Sequence, residues 1–189
     1  MDALISLLEL NPSAANAFGA LASAAAAFLA LAVSIIAAYI SIWAVRSQRE
    51  HNELSVRPLV EVTVADYEDS LRVKLCNNGT GPMIITKIEV LNGSSAKHSI
   101  IEWMPDLPEG RFWTSFSGDI RARSLRPGCE IALLELTEAE EEKAFARSRS
   151  EVRKALAPLI VKVEYTDIYN KLMPIRIKDL SWFGRHFVT

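Results

Sequence analysis

The sequence is poor in the residues from which metal centres, disulfides and many active sites are built: 189 residues contain two cysteines and three histidines. Cys76 and Cys129 lie far apart, each in a strand-like run, so no CxxC motif or disulfide is implied and both read as small buried hydrophobes. His51, His98 and His186 are scattered without a metal-ligand spacing, which argues against a zinc site. A phosphate loop is missing too. Gly79-Thr80-Gly81 lacks the following Gly-Lys-Ser/Thr and precedes a strand-like run instead of a helix, so it reads as a tight turn. No G-x-S-x-G elbow occurs, and the consecutive Glu140, Glu141 and Glu142 point in different directions on a predicted helix. The chain is therefore not expected to be an enzyme, and neither a cofactor nor a metal is expected.

Lysine and arginine are absent from the first 45 residues, and no charge of either sign occurs between Leu10 and Val45. Residues 17 to 43 reach about 40 Å as a helix, against roughly 30 Å of bilayer hydrocarbon, so one tilted or slightly protruding membrane pass is expected. A cleaved signal peptide fits less well, because Asp2 and Glu9 stand where a basic n-region belongs and the apolar run is too long. Arg46, Arg49 and Arg57 flank only the C-terminal end, which places the N-terminus outside and the remaining domain in the cytoplasm. Tyr39 and Trp43 suit an interfacial aromatic belt at the inner end.

Within this span the few polar residues share one line. Asn16, Ser23, Ser34, Ser41 and Gln48 are spaced 7, 11, 7 and 7 apart, and at about 100° per residue they project within roughly 40° of one another. Phe18, Leu21, Leu29, Ile36, Tyr39 and Trp43 lie opposite. Two readings stay open. In one, the polar line faces the pore of a homo-oligomer of roughly four or more copies, and Ala27, Ala30 and Ala37 permit close helix approach. In the other, the helix only self-associates, with each hydroxyl satisfied by its own backbone four residues back.

The expected organisation is a short amphipathic interfacial helix over 1–11, a transmembrane helix over 12–45 and a helical stalk over 46–57. Asn11 and Pro12 serve as N-cap and first helical residue, and Pro58 ends the helix. A mainly-β cytosolic domain follows over 58–178, with an aromatic-basic tail over 179–189. Two-residue alternation marks strands at 60–64 and 71–75, and a third spans 83–91. Asn92-Gly93 turns that third strand into one at 99–103, with further strands at 112–117, 130–136, 159–165 and 172–178. This density of short strands favours a β-sandwich. One helix, 137–157, is inserted, with Thr137 and Glu140 as a capping box and Arg147, Arg149, Arg153 and Lys154 towards its C-terminus. The tail, including Trp182, Arg185 and Phe187, is a candidate for docking on a neighbouring subunit, the bilayer surface or a ligand.

The densest basic-aromatic stretch is 111–126, where Arg111, Arg121, Arg123 and Arg126 interleave with Phe112, Trp113 and Phe116. Cations for phosphate and rings for base stacking make Arg111, Trp113, Arg121, Arg123 and Arg126 the candidate contacts for a nucleotide or single-stranded nucleic acid. A core strand followed by a solvated arginine loop accounts for the same residues.

Three landmarks carry a resemblance: Arg57-Pro58-Leu-Val-Glu-Val, Leu75-Cys-Asn77-Asn-Gly79-Thr-Gly81-Pro82, and Tyr165-Thr-Asp167-Ile-Tyr169-Asn170. Over roughly 57–178 the chain resembles a group of bacterial proteins with an N-terminal membrane helix and a cytosolic immunoglobulin-like β-sandwich. That resemblance implies an inner-membrane location. Among such architectures are channel effectors of nucleotide-signalling anti-phage systems, which implies a nucleotidyltransferase as a candidate partner. Asn170 departs from the glycine often found in this turn, and the resemblance assigns no binding residue.

Overall fold

A computed structural model describes residues 12–139 and 145–186. The expected helix over 1–11, Glu140 to Glu142 and Phe187 lie outside the described residues. The chain divides into two compact units, Met1–Asn52 and Glu53–Thr189. The second therefore begins inside the expected stalk.

The first unit consists of helix α1 (Pro12–Ser55), whose last three residues belong to the second unit. The alanine-rich sequence, uncharged as far as Val45, and the proline at its first position favour a helix. Every residue from Asn16 to Asn52 is exposed, including Phe28, Leu29, Ile36, Tyr39 and Trp43. It is the one helix among the described residues long and apolar enough to cross a membrane.

The second unit is mainly antiparallel β structure. One sheet has the order β1 (Val60–Asp66), β2 (Ser70–Asn77), β7 (Glu130–Thr137), β5 (Ser115–Phe116). The other runs β4 (Ser95–Lys97), β3 (Met83–Asn92), β8 (Leu159–Thr166), β9 (Arg176–Asp179). A short β6 (Ser124–Leu125) pairs with Met83 and Ile84, on the edge of β3 whose far end holds β4. Inward residues of both sheets form one core, with Leu71, Val73 and Leu75 from β2 and Leu159, Val161 and Val163 from β8.

Two bulges interrupt the alternation. Between Val73 and Lys74 the register on β7 passes from Leu134 to Ala132, so Leu133 is an extra residue and both Leu133 and Leu134 are buried. On β3 the extra residue is Thr86, which lets Ile85 and Ile88 both face inward despite their odd spacing.

Several expectations are corrected. The strand expected at 99–103 is displaced: the hairpin returns at once through Ser95–Lys97, and Ile101–Trp103 forms a 3-10 turn. Of 112–117 only Ser115–Phe116 pairs, and the last strand starts at Arg176 instead of Leu172. Thr137 belongs to β7, its N–H donating to Thr114 Oγ1 at 2.8 Å, while the described part of the inserted helix, α2, is Phe145–Leu156. The tail is partly core: Leu180 and Phe183 are fully buried, so the domain continues past 178. Arg185 stacks on Trp182, 3.4 Å from the ring centroid, and bonds to Asp66. Both cysteines are half-buried instead of buried.

Two basic residues of α2, Arg149 and Arg153, bond to the β domain. Its buried face, Phe145, Ser148, Val152 and Leu156, turns Arg153 onto Asp66 of β1, with bonds of 2.8 and 2.7 Å to a carboxylate wholly inaccessible to solvent. Arg149 donates to the carbonyl of Tyr67.

Candidate functional site

The five candidate ligand contacts do not converge. Arg111 and Trp113 line a shallow groove of about 420 Å³ with Phe112, Phe116, Met104 and Asp106. Arg111 is already engaged, donating to the carbonyl of Thr137 and lying 5.8 Å from the centroid of Phe145. Trp113 is packed against the core, while Phe112 and Phe116 are the exposed rings. Asp106 adds a negative charge that opposes a phosphate there.

Arg121, Arg123 and Arg126 flank β6 and do not line that groove. Arg121 is paired with Asp119 through Nε at 2.9 and 2.7 Å and through Nη2. These side-chain bonds, with the Arg121 N–H, hold the Asp119 carboxyl down to about 2. Arg123 and Arg126 are exposed and have no side-chain partner among the described residues. The sequence cluster is thus split between two sheets, with two of its four guanidinium groups occupied.

A better-formed site lies where the chain enters the β domain. The turn after β2 grips the segment leaving α1: Asn78 N–H donates to Leu59 O at 2.8 Å and Thr80 N–H to Arg57 O at 3.2 Å. Leu59 N–H donates to Asn77 Oδ1 at 3.3 Å. The fully buried Asn77 also accepts from Gly79 N–H and donates to the carbonyls of Gly81 and Leu125, so one side chain ties the linker, the turn and β6 together. A Cβ at Gly79 would stand 2.3 Å from Leu59 N, and one at Gly81 only 1.7 Å from Val56 O. Glycine is needed here because two backbones touch. The tight turn expected from Gly79-Thr80-Gly81 is a chain clamp.

Beside the clamp is a cavity of about 530 Å³ whose walls include Leu54, Arg57, Thr80, Tyr165, Pro174 and Arg176, all from the second unit. Asp167, buried in the β8–β9 turn, accepts the N–H groups of Tyr169 and Lys171 at 2.8 and 2.9 Å. Asn170 takes the left-handed conformation, φ 60°, which explains how asparagine replaces glycine there. Lys171 reaches Glu53 at 2.9 Å, and that hydrogen bond holds its ammonium above the ordinary lysine value. Sequence reasoning used Arg57 only as a membrane-flanking charge and Arg176 only as a strand residue. The signal available was Arg57 directly before Pro58 and Arg176 directly after Pro174-Ile175, positions next to rigid chain reversals.

On α1, Ser23, Ser34 and Ser41 donate to the carbonyls of Gly19, Ala30 and Ala37 at 2.8, 2.7 and 2.8 Å. The polar line therefore carries hydroxyls already satisfied by their own helix. No three His, Cys, Asp or Glu side chains converge as a metal site among the described residues.

A family model described as Domain of unknown function (DUF8453) matches residues 19–181. No curated protein matches the chain.

Proposed function

The chain belongs to the DUF8453 family, and from its own residues we propose that it is a single-pass membrane protein whose helix self-associates and whose β domain is a cytosolic interaction module. In this reading the domain is an immunoglobulin-like sandwich, the N-terminus faces out, and Arg46, Arg49 and Arg57 hold the C-terminal side in the cytoplasm. The observation that carries it is α1 itself: bulky apolar residues exposed all along one face, and opposite them small residues and serines bonded to their own backbone. Such hydroxyls enter a dry helix contact at little cost, and Ala27, Ala30 and Ala37 let backbones approach. Sedimentation equilibrium in density-matched detergent tests it. Concentration-dependent association is expected, weakened at least tenfold by Ala30→Leu with Ala37→Leu; a monomer at all concentrations, or indifference to these changes, refutes it.

A second reading, an ion-conducting effector gated by the β domain and placed in anti-phage defence, is favoured by the shared line of Asn16, Ser23, Ser34, Ser41 and Gln48. It requires about four or more copies around a pore, and conductance in liposomes that Ser34→Leu and Ser41→Leu abolish. Its nucleotide ligand and nucleotidyltransferase partner draw little support from Arg111 and Arg121, both of which are engaged within the domain.

A further inference from the structure

We propose that the cavity at the domain entrance, between Arg57 and Arg176, binds a phosphate-bearing molecule with an apolar body. At about 530 Å³ it has the size of a small-molecule site, and Leu54, Pro58 and Pro174 give it apolar wall. Its charge is positive and unspent. Arg57 and Arg176 are exposed, and neither makes an ion pair or side-chain hydrogen bond with any described residue. Of the neighbouring acids, Glu53 pairs with Lys171, Asp167 accepts two backbone N–H groups and Glu61 accepts from the Asn78 amide.

Tyr165, 2% exposed, closes part of the cavity wall. The site is also preorganised, because the clamp fixes the backbone of Arg57 through Thr80. Two guanidinium-bearing residues lining one cavity suit the planar, bidentate recognition of phosphate.

The phosphate has two sources, a soluble ester or a lipid headgroup, since Arg57 follows Arg46, the first basic residue after the apolar run, by 11 positions. The experiment uses the full chain in phosphatidylcholine nanodiscs titrated with 1-naphthyl phosphate by calorimetry. Saturable binding is expected, at least tenfold weaker for 1-naphthol. Arg57→Gln and Arg176→Gln should each weaken it at least tenfold, and Arg123→Gln not at all. Arg57→Lys should recover part of the loss, which separates a charge effect from misfolding. A second set of nanodiscs contains phosphatidylglycerol: competition that depends on Arg57 and Arg176 assigns the site to lipid, and its absence to a soluble ester. No saturable binding together with no arginine-dependent lipid effect, or binding indifferent to both arginines, overturns the proposal. Ligand binding is measured without reference to helix association, so either proposal can fail alone.

Discussion

Replacing Gly81 with alanine tests the clamp directly. The added Cβ would lie 1.7 Å from the carbonyl oxygen of Val56 and 2.4 Å from its carbon, both backbone atoms that no rotamer change can move aside. No left-handed φ is involved at this position, so the penalty is steric. Relief requires the linker to lift off the turn, which breaks the bonds Asn78 N–H to Leu59 O, Thr80 N–H to Arg57 O and Leu59 N–H to Asn77 Oδ1. At about 1 kcal/mol net for each hydrogen bond, the loss is about 3 kcal/mol. Urea unfolding of the full chain in detergent micelles, followed by near-ultraviolet circular dichroism, measures it. Gly118→Ala is the control, because nothing lies within 4 Å of its Cβ and its φ is not left-handed. The linker 56–59 should also become a cleavage site in limited proteolysis. If Gly81→Ala falls within about 0.5 kcal/mol of Gly118→Ala, the size of an ordinary surface substitution, the clamp does not hold the linker.

Arg153→Met removes a cation from the inaccessible Asp66 carboxylate, which Arg185 also contacts, and should cost about 3–5 kcal/mol in the same unfolding assay. Asp66→Leu combined with Arg153→Met should recover part of that cost; an unchanged midpoint for the single variant contradicts a structural role for the pair. Asp119 should titrate near 2 by carboxyl carbon NMR, and Arg121→Gln should bring it back towards 3.8. Its pKa is lower in the folded state, so its contribution is present above pH 3.8 and is lost as pH falls through about 2. A value of 2 that persists in Arg121→Gln would exclude the arginine as the cause.

Much of the local structure was legible because its causes are local. An alanine-rich stretch, uncharged as far as Val45, between Pro12 and the break at Pro58 is enough to make one long helix, and α1 ends at Ser55. Alternation located β1, β2 and most of β3, β7 and β8, since one face of each is buried. Short edge segments such as Ser124–Leu125 left no periodic trace.

The candidate site was harder to read because a guanidinium's availability depends on partners distant in sequence. Adjacent in the chain, the arginines of 111–126 looked equivalent, whereas packing gave Arg111 the Thr137 carbonyl and Arg121 the carboxylate of Asp119. Arg57 and Arg176, 119 positions apart, share a cavity because β8–β9 pairing and the Asn77 clamp bring the domain's two ends together. By itself the sequence determined the apolar helix, its single polar line and the alternating strands, all consequences of side-chain period. Only the tertiary structure decided which charges are spent, because pairing is set by three-dimensional proximity. It likewise showed that Gly79 and Gly81 serve a contact between two backbones, which no pattern along one strand encodes.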